Sequence, residues 1–184
     1  GLAWRWQIAG RIPAANMYES LLFLAWGVGF IALLLAPVMK NRLVLLNASG
    51  LAALTMALGD LLPLDRFIHP MPPVLAGTPW LAIHVPIIML SYSILALGVV
   101  AAHVQIGVMA FAPGQTQSVQ RMNRILYWYI HVGCLLLTAG IITGSVWAAS
   151  SWGRYWGWDP KEVWSLVALL AYLALLHARK ERII

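Results

Sequence analysis

Charged side chains are scarce in this chain: only 10% of its 184 residues are Asp, Glu, Lys or Arg, where a soluble domain carries roughly a quarter. Beside 61% hydrophobic residues, that deficit excludes an ordinary water-soluble domain and implies an integral membrane protein. Acidic residues are the scarcest, 6 against 12 Lys and Arg. The basic excess is scattered over the ends of apolar runs instead of gathered on one face, so it speaks for topology and against a nucleic-acid partner. Cysteine is nearly missing. Cys134, alone inside an apolar run, excludes an internal disulfide, and with no Cys-x-x-Cys-His the chain is not itself a c-type cytochrome. Internal repeats and low-complexity tracts are also lacking, which leaves one membrane domain over 1–184 and nothing to recommend a small-molecule transporter with an aromatic gate. Gly1 opens the chain with neither an initiator Met nor a signal-peptide pattern, and we expect a piece of a longer protein.

A helix crosses the hydrocarbon core in about 20 apolar residues, and five segments qualify: 18–37, 43–62, 84–111, 125–149 and 163–179. The fold class expected is all-α, a polytopic transmembrane helix bundle with five spans. Gly50, Gly59 and Asp60 dilute the second span, and the third is long enough to tilt or project. The polar stretch 112–124, Ala-Pro-Gly-Gln-Thr-Gln-Ser-Val-Gln and onward, reads as a flexible linker. Lys40, Arg42, Arg121, Arg124, Arg179, Lys180 and Arg182 fall on one side of the spans. By the positive-inside rule that side is cytoplasmic. The Pro-rich connection from Pro63 to Trp80 and the segment from Trp152 to Glu162 then lie together outside, with Arg5 and Arg11 as mild exceptions.

Residues 152–162 read Trp-Gly-Arg-Tyr-Trp-Gly-Trp-Asp-Pro-Lys-Glu. A short loop between two spans has no core of its own, so its rings face lipid headgroups, a partner or a flat ligand. For any single ring the interfacial preference of Trp and Tyr is reason enough. The crowding of Trp152, Tyr155, Trp156 and Trp158 points further. Asp159 is a good N-cap, Pro160 suits a first helical turn and Glu162 suits the positive helix end, so a helix is predicted to start here. A macrocycle with apolar faces and carboxylates would stack on the rings and pair with Arg154 and Lys161.

Five histidines offer ligands. His84 begins the third span on the same side as the tryptophan loop; it is either a hydrogen-bonded interfacial residue or a ligand with open access. His69, in the outer connection, is a weaker candidate, since loop histidines are usually solvated. Ionisable groups at membrane depth usually face the bundle or a functional site. His177, fourteen residues beyond Val163, lies about 21 Å down the fifth helix, and His103 and His131 share its leaflet. Neutral imidazole ligates haem iron well, so two of these three could clasp an inner haem, or each could simply bond to a helix. The methionines, Met89 and Met122 among them, read as packing and lipid contact.

These residues carry a resemblance to the CcsA (ResC) component of System II cytochrome c synthases, within the haem-handling superfamily named for its WWD domain. The loop Trp152 to Glu162 followed by Trp164 is similar to the family's tryptophan-rich signature. Gly10-Arg-Ile-Pro-Ala-Ala-Asn-Met-Tyr-Glu-Ser20 resembles its approach to an earlier span, and Pro73-Val-Leu-Ala-Gly-Thr-Pro-Trp80-Leu-Ala-Ile-His84-Val85 its outer-histidine segment. Gly140-Ile-Ile-Thr-Gly-Ser-Val-Trp147 and Leu176-His177-Ala-Arg179 complete the register.

The resemblance implies a multispan subunit that conveys haem b to the outer face and presents it to apocytochrome c for thioether formation, a haem lyase (synthase) component. It implies that Trp152, Arg154, Tyr155, Trp156, Trp158, Asp159 and Lys161 hold the haem, that His84 and His177 ligate its iron, and that no catalytic nucleophile is needed. His103 and His131 match no family position and stay as lesser candidates. Partners implied are haem, a CcsB/ResB-like membrane protein, apocytochrome c and lipid. The setting implied is the bacterial cytoplasmic membrane, or the thylakoid in a plastid, with the loop on the outer, periplasmic side. A second outer histidine is expected several tens of residues after His177. The competing expectation is a haem-binding or structural subunit of a larger membrane complex that keeps this bundle without ligase activity.

Overall fold

The computed structural model describes residues 1–40, 42–71, 73, 78–112 and 114–181. Arg182, Ile183 and Ile184, Pro113 of the 112–124 stretch, and residues 74–77 of the outer-histidine segment lie outside the described residues. Among those described, the chain is all helix: α1 (Leu2–Ala9), α2 (Met17–Met39), α3 (Arg42–Leu61), α4 (Trp80–Phe111), α5 (Thr116–Trp152) and α6 (Pro160–Lys180). Five of them, α2 to α6, are long and apolar enough to cross a membrane, as the composition predicts.

The helices alternate in direction, which creates two ends. The loop end gathers α1, the α3–α4 connection and the α5–α6 loop; the opposite, basic end holds Lys40, Arg42, Arg121, Arg124, Arg179 and Lys180. One expectation fails here. Most of the stretch read as a linker, 112–124, is helical from Thr116 onward. Polarity misled: after Gly114 the segment contains neither Gly nor Pro and is rich in Gln, Arg and Met, which favour helix. At 32 and 37 residues, α4 and α5 extend to about 48 and 55 Å, well beyond a hydrocarbon core of about 30 Å.

α4 and α5 form the tight centre of the bundle, and a stripe of glycines explains why. A Cβ on Gly133 would strike Leu95, one on Gly140 would stand 2.6 Å from Ile88, and one on Gly144 would stand 2.8 Å from the imidazole of His84. The steps of seven and four residues along α5 are matched in reverse along α4, so the two helices mesh antiparallel in one register. Small residues let helix backbones approach where lipid offers no hydrophobic drive. The Ser91 hydroxyl adds a bond to the Gly133 carbonyl at 2.9 Å. Around this pair α2 and α3 bury Val28, Val44 and Ala48 against Leu97 and Tyr129. By contrast α6 buries only Leu169 and leaves Trp164, Val167, Leu170 and Leu173 exposed to the surroundings.

The loop end also holds a buried carboxylate. Glu19, fully buried, receives Arg11 at 2.9 Å, Arg5 at 3.3 Å and the Ala15 N–H at 2.9 Å. This explains the two basic residues that charge counting treats as exceptions: they neutralise an acid inside the first turn of α2. The same arginines reach the α3–α4 connection at the Arg66 and His69 carbonyls, which ties α1 to the loop end.

Candidate functional site

The site begins with a helix start. Asp159 caps α6 by accepting from the N–H groups of Lys161 at 2.8 Å and Glu162 at 3.0 Å, and the Glu162 carboxylate reaches back to the Asp159 N–H, completing a capping box. Those two N–H groups, Glu162 first, hold the Asp159 carboxyl below its ordinary pKa, with the Lys161 and Arg154 charges assisting. Glu162 does more than cap. Its Oε2 also accepts from the Gly157 N–H at 2.6 Å, while Oε1 stands 3.6 Å from Arg154. Between the two clasped N–H groups sits Trp158 with φ 58, a left-handed backbone that is uncommon for a bulky residue. The Arg154 guanidinium lies against Gly157, where any Cβ would collide with it. The loop therefore holds a built conformation.

Facing it is His84, one turn inside α4. Its Nδ1 lies 2.9 Å from the Gly140 carbonyl of α5, and since a carbonyl only accepts, Nδ1 carries the proton there. The Thr143 hydroxyl stands 3.5 Å from the same nitrogen. Nε2 is thus left as the unprotonated nitrogen, and it has no hydrogen-bond partner among the described residues. Room for the ring comes from the missing Cβ at Gly144. Beside it, Trp147 lies 5.6 Å from the imidazole, centroid to centroid, and 5.5 Å from Trp152.

Together these groups line a cleft of about 270 Å³ between α4, α5 and α6. Of the residues singled out from sequence, it unites His84, Trp152, Tyr155, Trp156, Asp159 and Lys161. Trp152 belongs to the last turn of α5 and not to the loop. Trp158 meets Trp156 edge-on at 5.8 Å but is 70% exposed, and Arg154 serves the loop's shape. His69 is bound to Asp65 at 2.6 Å and stands outside the cleft. His177 is in the last turn of α6 at the basic end and is exposed. His103 and His131 bond to carbonyls of their own helices, Val99 and Tyr127. No group of three metal-binding side chains occurs among the described residues.

Sequence reasoning singled out neither Trp147 as a lining ring, nor Gly144 as the seat of His84, nor Glu162 as the clasp of the loop. The four-residue spacing of Gly140 and Gly144, the latter three residues before Trp147, was the available signal. Two buried indole N–H groups, of Trp147 and Trp156, have no partner, and both residues line the cleft. Orphaned buried donors are uncommon and call for an acceptor. A flat ligand with acceptor groups and an open metal coordination site fits this donor set: an imidazole nitrogen, two indole donors, the Lys161 ammonium and the faces of tilted aromatic rings. The cleft is smaller than most sites that enclose a ligand, so it has room for only an edge of such a molecule.

Comparison with known proteins supplies the family. A cytochrome c biogenesis protein CcsA of Synechococcus sp. (strain RCC307) is 34% identical over 215 residues, covering 98% of this chain and 68% of the relative. That of Pyropia yezoensis is 35% identical over 223 residues, with 97% and 70% covered, and that of Guillardia theta 38% over 205 residues, with 97% and 67% covered. Residues 14–183 match the family described as Cytochrome C assembly protein, and with relatives of this similarity over nearly its full length the chain belongs to that family.

Proposed function

We propose that the loop-end cleft grips haem b by one edge, with His84 Nε2 as an axial ligand, and that the chain is the haem-handling membrane subunit of cytochrome c biogenesis. The observation that carries this is the single-sided use of His84: the Gly140 carbonyl holds Nδ1–H, and Nε2 keeps its lone pair beside two unpartnered indole donors. Fixing one ring nitrogen by a backbone carbonyl is how ligating histidines are oriented and made more basic. When bound, haem supplies the vinyl groups to which apocytochrome thiols add, and the iron. The chain supplies position. Trp147, Trp152 and Trp156 offer faces and N–H donors, Lys161 faces a carboxylate, and Glu162 holds the loop over the cleft. Among the described residues the cleft contains no second histidine; a second outer histidine several tens of residues after His177 would complete the hold on the iron, and a CcsB/ResB-like partner or an upstream segment would supply the companion of His177.

Orientation follows the basic end, which lies in the cytoplasm, so the cleft opens outward: to the periplasm in a bacterium, or from the thylakoid membrane in a plastid. His177, at the basic end, receives haem on its way. The test is the absorption spectrum of the purified protein together with cytochrome c maturation in cells. A b-type Soret band lost in His84→Ala, and weakened in His177→Ala, supports the assignments. Unchanged haem content and unchanged maturation in both variants would overturn them. A haem-binding subunit without ligase activity is separated by the pair of readouts, since it would lose the band and leave maturation intact.

A further inference from the structure

The charges of this bundle are paired at one end only. Among the described residues every ion pair lies at the loop end: Arg5 and Arg11 with Glu19, Arg66 with Asp60, His69 with Asp65, Arg154 with Glu162. At the basic end Glu181 is the one described carboxylate, and it pairs with none of the cations. Arg179 is occupied by the Tyr127 ring at 4.6 Å and the Asn123 carbonyl at 3.4 Å. Three other cations converge. Lys40, at the C-terminal cap of α2, and Arg121 and Arg124, on α5, line one pocket of about 460 Å³ whose other walls include Val38, Met39 and half-exposed Trp128.

Like charges gathered without a protein counter-ion raise the local potential. The missing partner is therefore an anion. An inorganic ion would satisfy the cations but leave the apolar walls uncovered, whereas a molecule with an anionic head and apolar tails matches both. We propose that this pocket binds the phosphate head of an anionic phospholipid from the leaflet at the basic end, its acyl chains lying along Val38, Met39 and Trp128. Basic pockets between transmembrane helices at that boundary have the chemistry for such heads.

The full chain in lipid discs tests this, with retained lipid counted by native mass spectrometry. Phosphatidylglycerol is expected to stay bound in preference to phosphatidylcholine, and Arg121→Gln and Arg124→Gln each to lower its retention about fivefold, the worth of one near-surface charge. Arg42→Gln, at the same end but outside the pocket, is expected to retain lipid as the wild type does, and Arg124→Lys to keep most of it. Thermal midpoints in phosphatidylcholine discs, equal to wild type, show that the variants fold. Equal retention of the two lipids would overturn the proposal. So would an Arg42→Gln loss as large as those in the pocket, which would mean diffuse surface charge, or displacement of the lipid by inorganic phosphate, which would mean a free-anion site.

Discussion

Gly144→Ala is the sharpest probe of the cleft, because it moves His84 without altering it. The added Cβ would stand 2.8 Å from Cε1, 3.0 Å from Nδ1 and 3.5 Å from Nε2, against a comfortable carbon contact of about 3.5–4.0 Å. The imidazole must retreat by roughly 0.7 Å, and its 2.9 Å bond to the Gly140 carbonyl then exceeds the useful range of about 3.2 Å. Losing that bond costs about 1 kcal/mol and the overpacking about 1–3 kcal/mol. A ligand must be held to within about 0.5 Å to work, so haem occupancy is expected to fall at least about tenfold, the equivalent of about 1.4 kcal/mol. The assay is Soret absorbance per protein after purification, beside the thermal midpoint. Two controls separate ligand placement from packing. Gly133→Ala strikes Leu95 on the same stripe and is expected to lower stability while leaving the spectrum intact. Gly107→Ala, inside α4 with open space around it, is expected to leave the spectrum intact and to hold or slightly raise the midpoint. Wild-type occupancy and spectrum in Gly144→Ala would refute the seat assigned to His84.

Glu19→Ala strands Arg5 and Arg11, which are only 17% and 11% exposed; breaking such a pair costs about 3 kcal/mol, read as a lowered unfolding midpoint in detergent. Glu162→Ala frees the Gly157 and Asp159 N–H groups and lets the Trp158 backbone relax. It is expected to cost about 1 kcal/mol of capping and to make 153–158 cleavable by protease; a loop still protected would argue against the clasp. Asp159 titrates below the ordinary carboxylate range because of the Glu162 and Lys161 N–H groups, so its cap is at full strength above about pH 4 and is lost as pH falls through the lowered value. The stability gap between wild type and Asp159→Ala is therefore expected to be flat from neutral pH downward and to close only in strong acid. A gap that closes near neutrality would mean another group controls the cap.

Much of this molecule was legible residue by residue. Spans are legible because hydrocarbon demands a continuous apolar helix of set length, and α2, α3 and α6 match their expected segments to within a few residues. The start of α6 was legible because capping chemistry is local: Asp159, Pro160 and Glu162 act on N–H groups within one turn. The segregation of basic residues was legible too, since it needs only a count. The start of α5 was misread, because a polar sequence does not distinguish a linker from a helix that outruns the bilayer.

That the His84 ring turns into the cleft, with Nδ1 on the Gly140 carbonyl and Trp147 beside it, was decided only by tertiary structure. His84, His103, His131 and His177 all sit on membrane-spanning helices, and periodicity does not say how each helix is rotated about its axis. That rotation is set by the glycine stripe of α5 meshing with Leu95, Ile88 and His84 of α4, a sum of many weak contacts across two segments. The aromatic cluster at 152–158 was thus determined by the sequence, and its partner, its depth and its orphaned donors by the packing of α4 on α5, because a helix carries its composition locally and its register only in pairs.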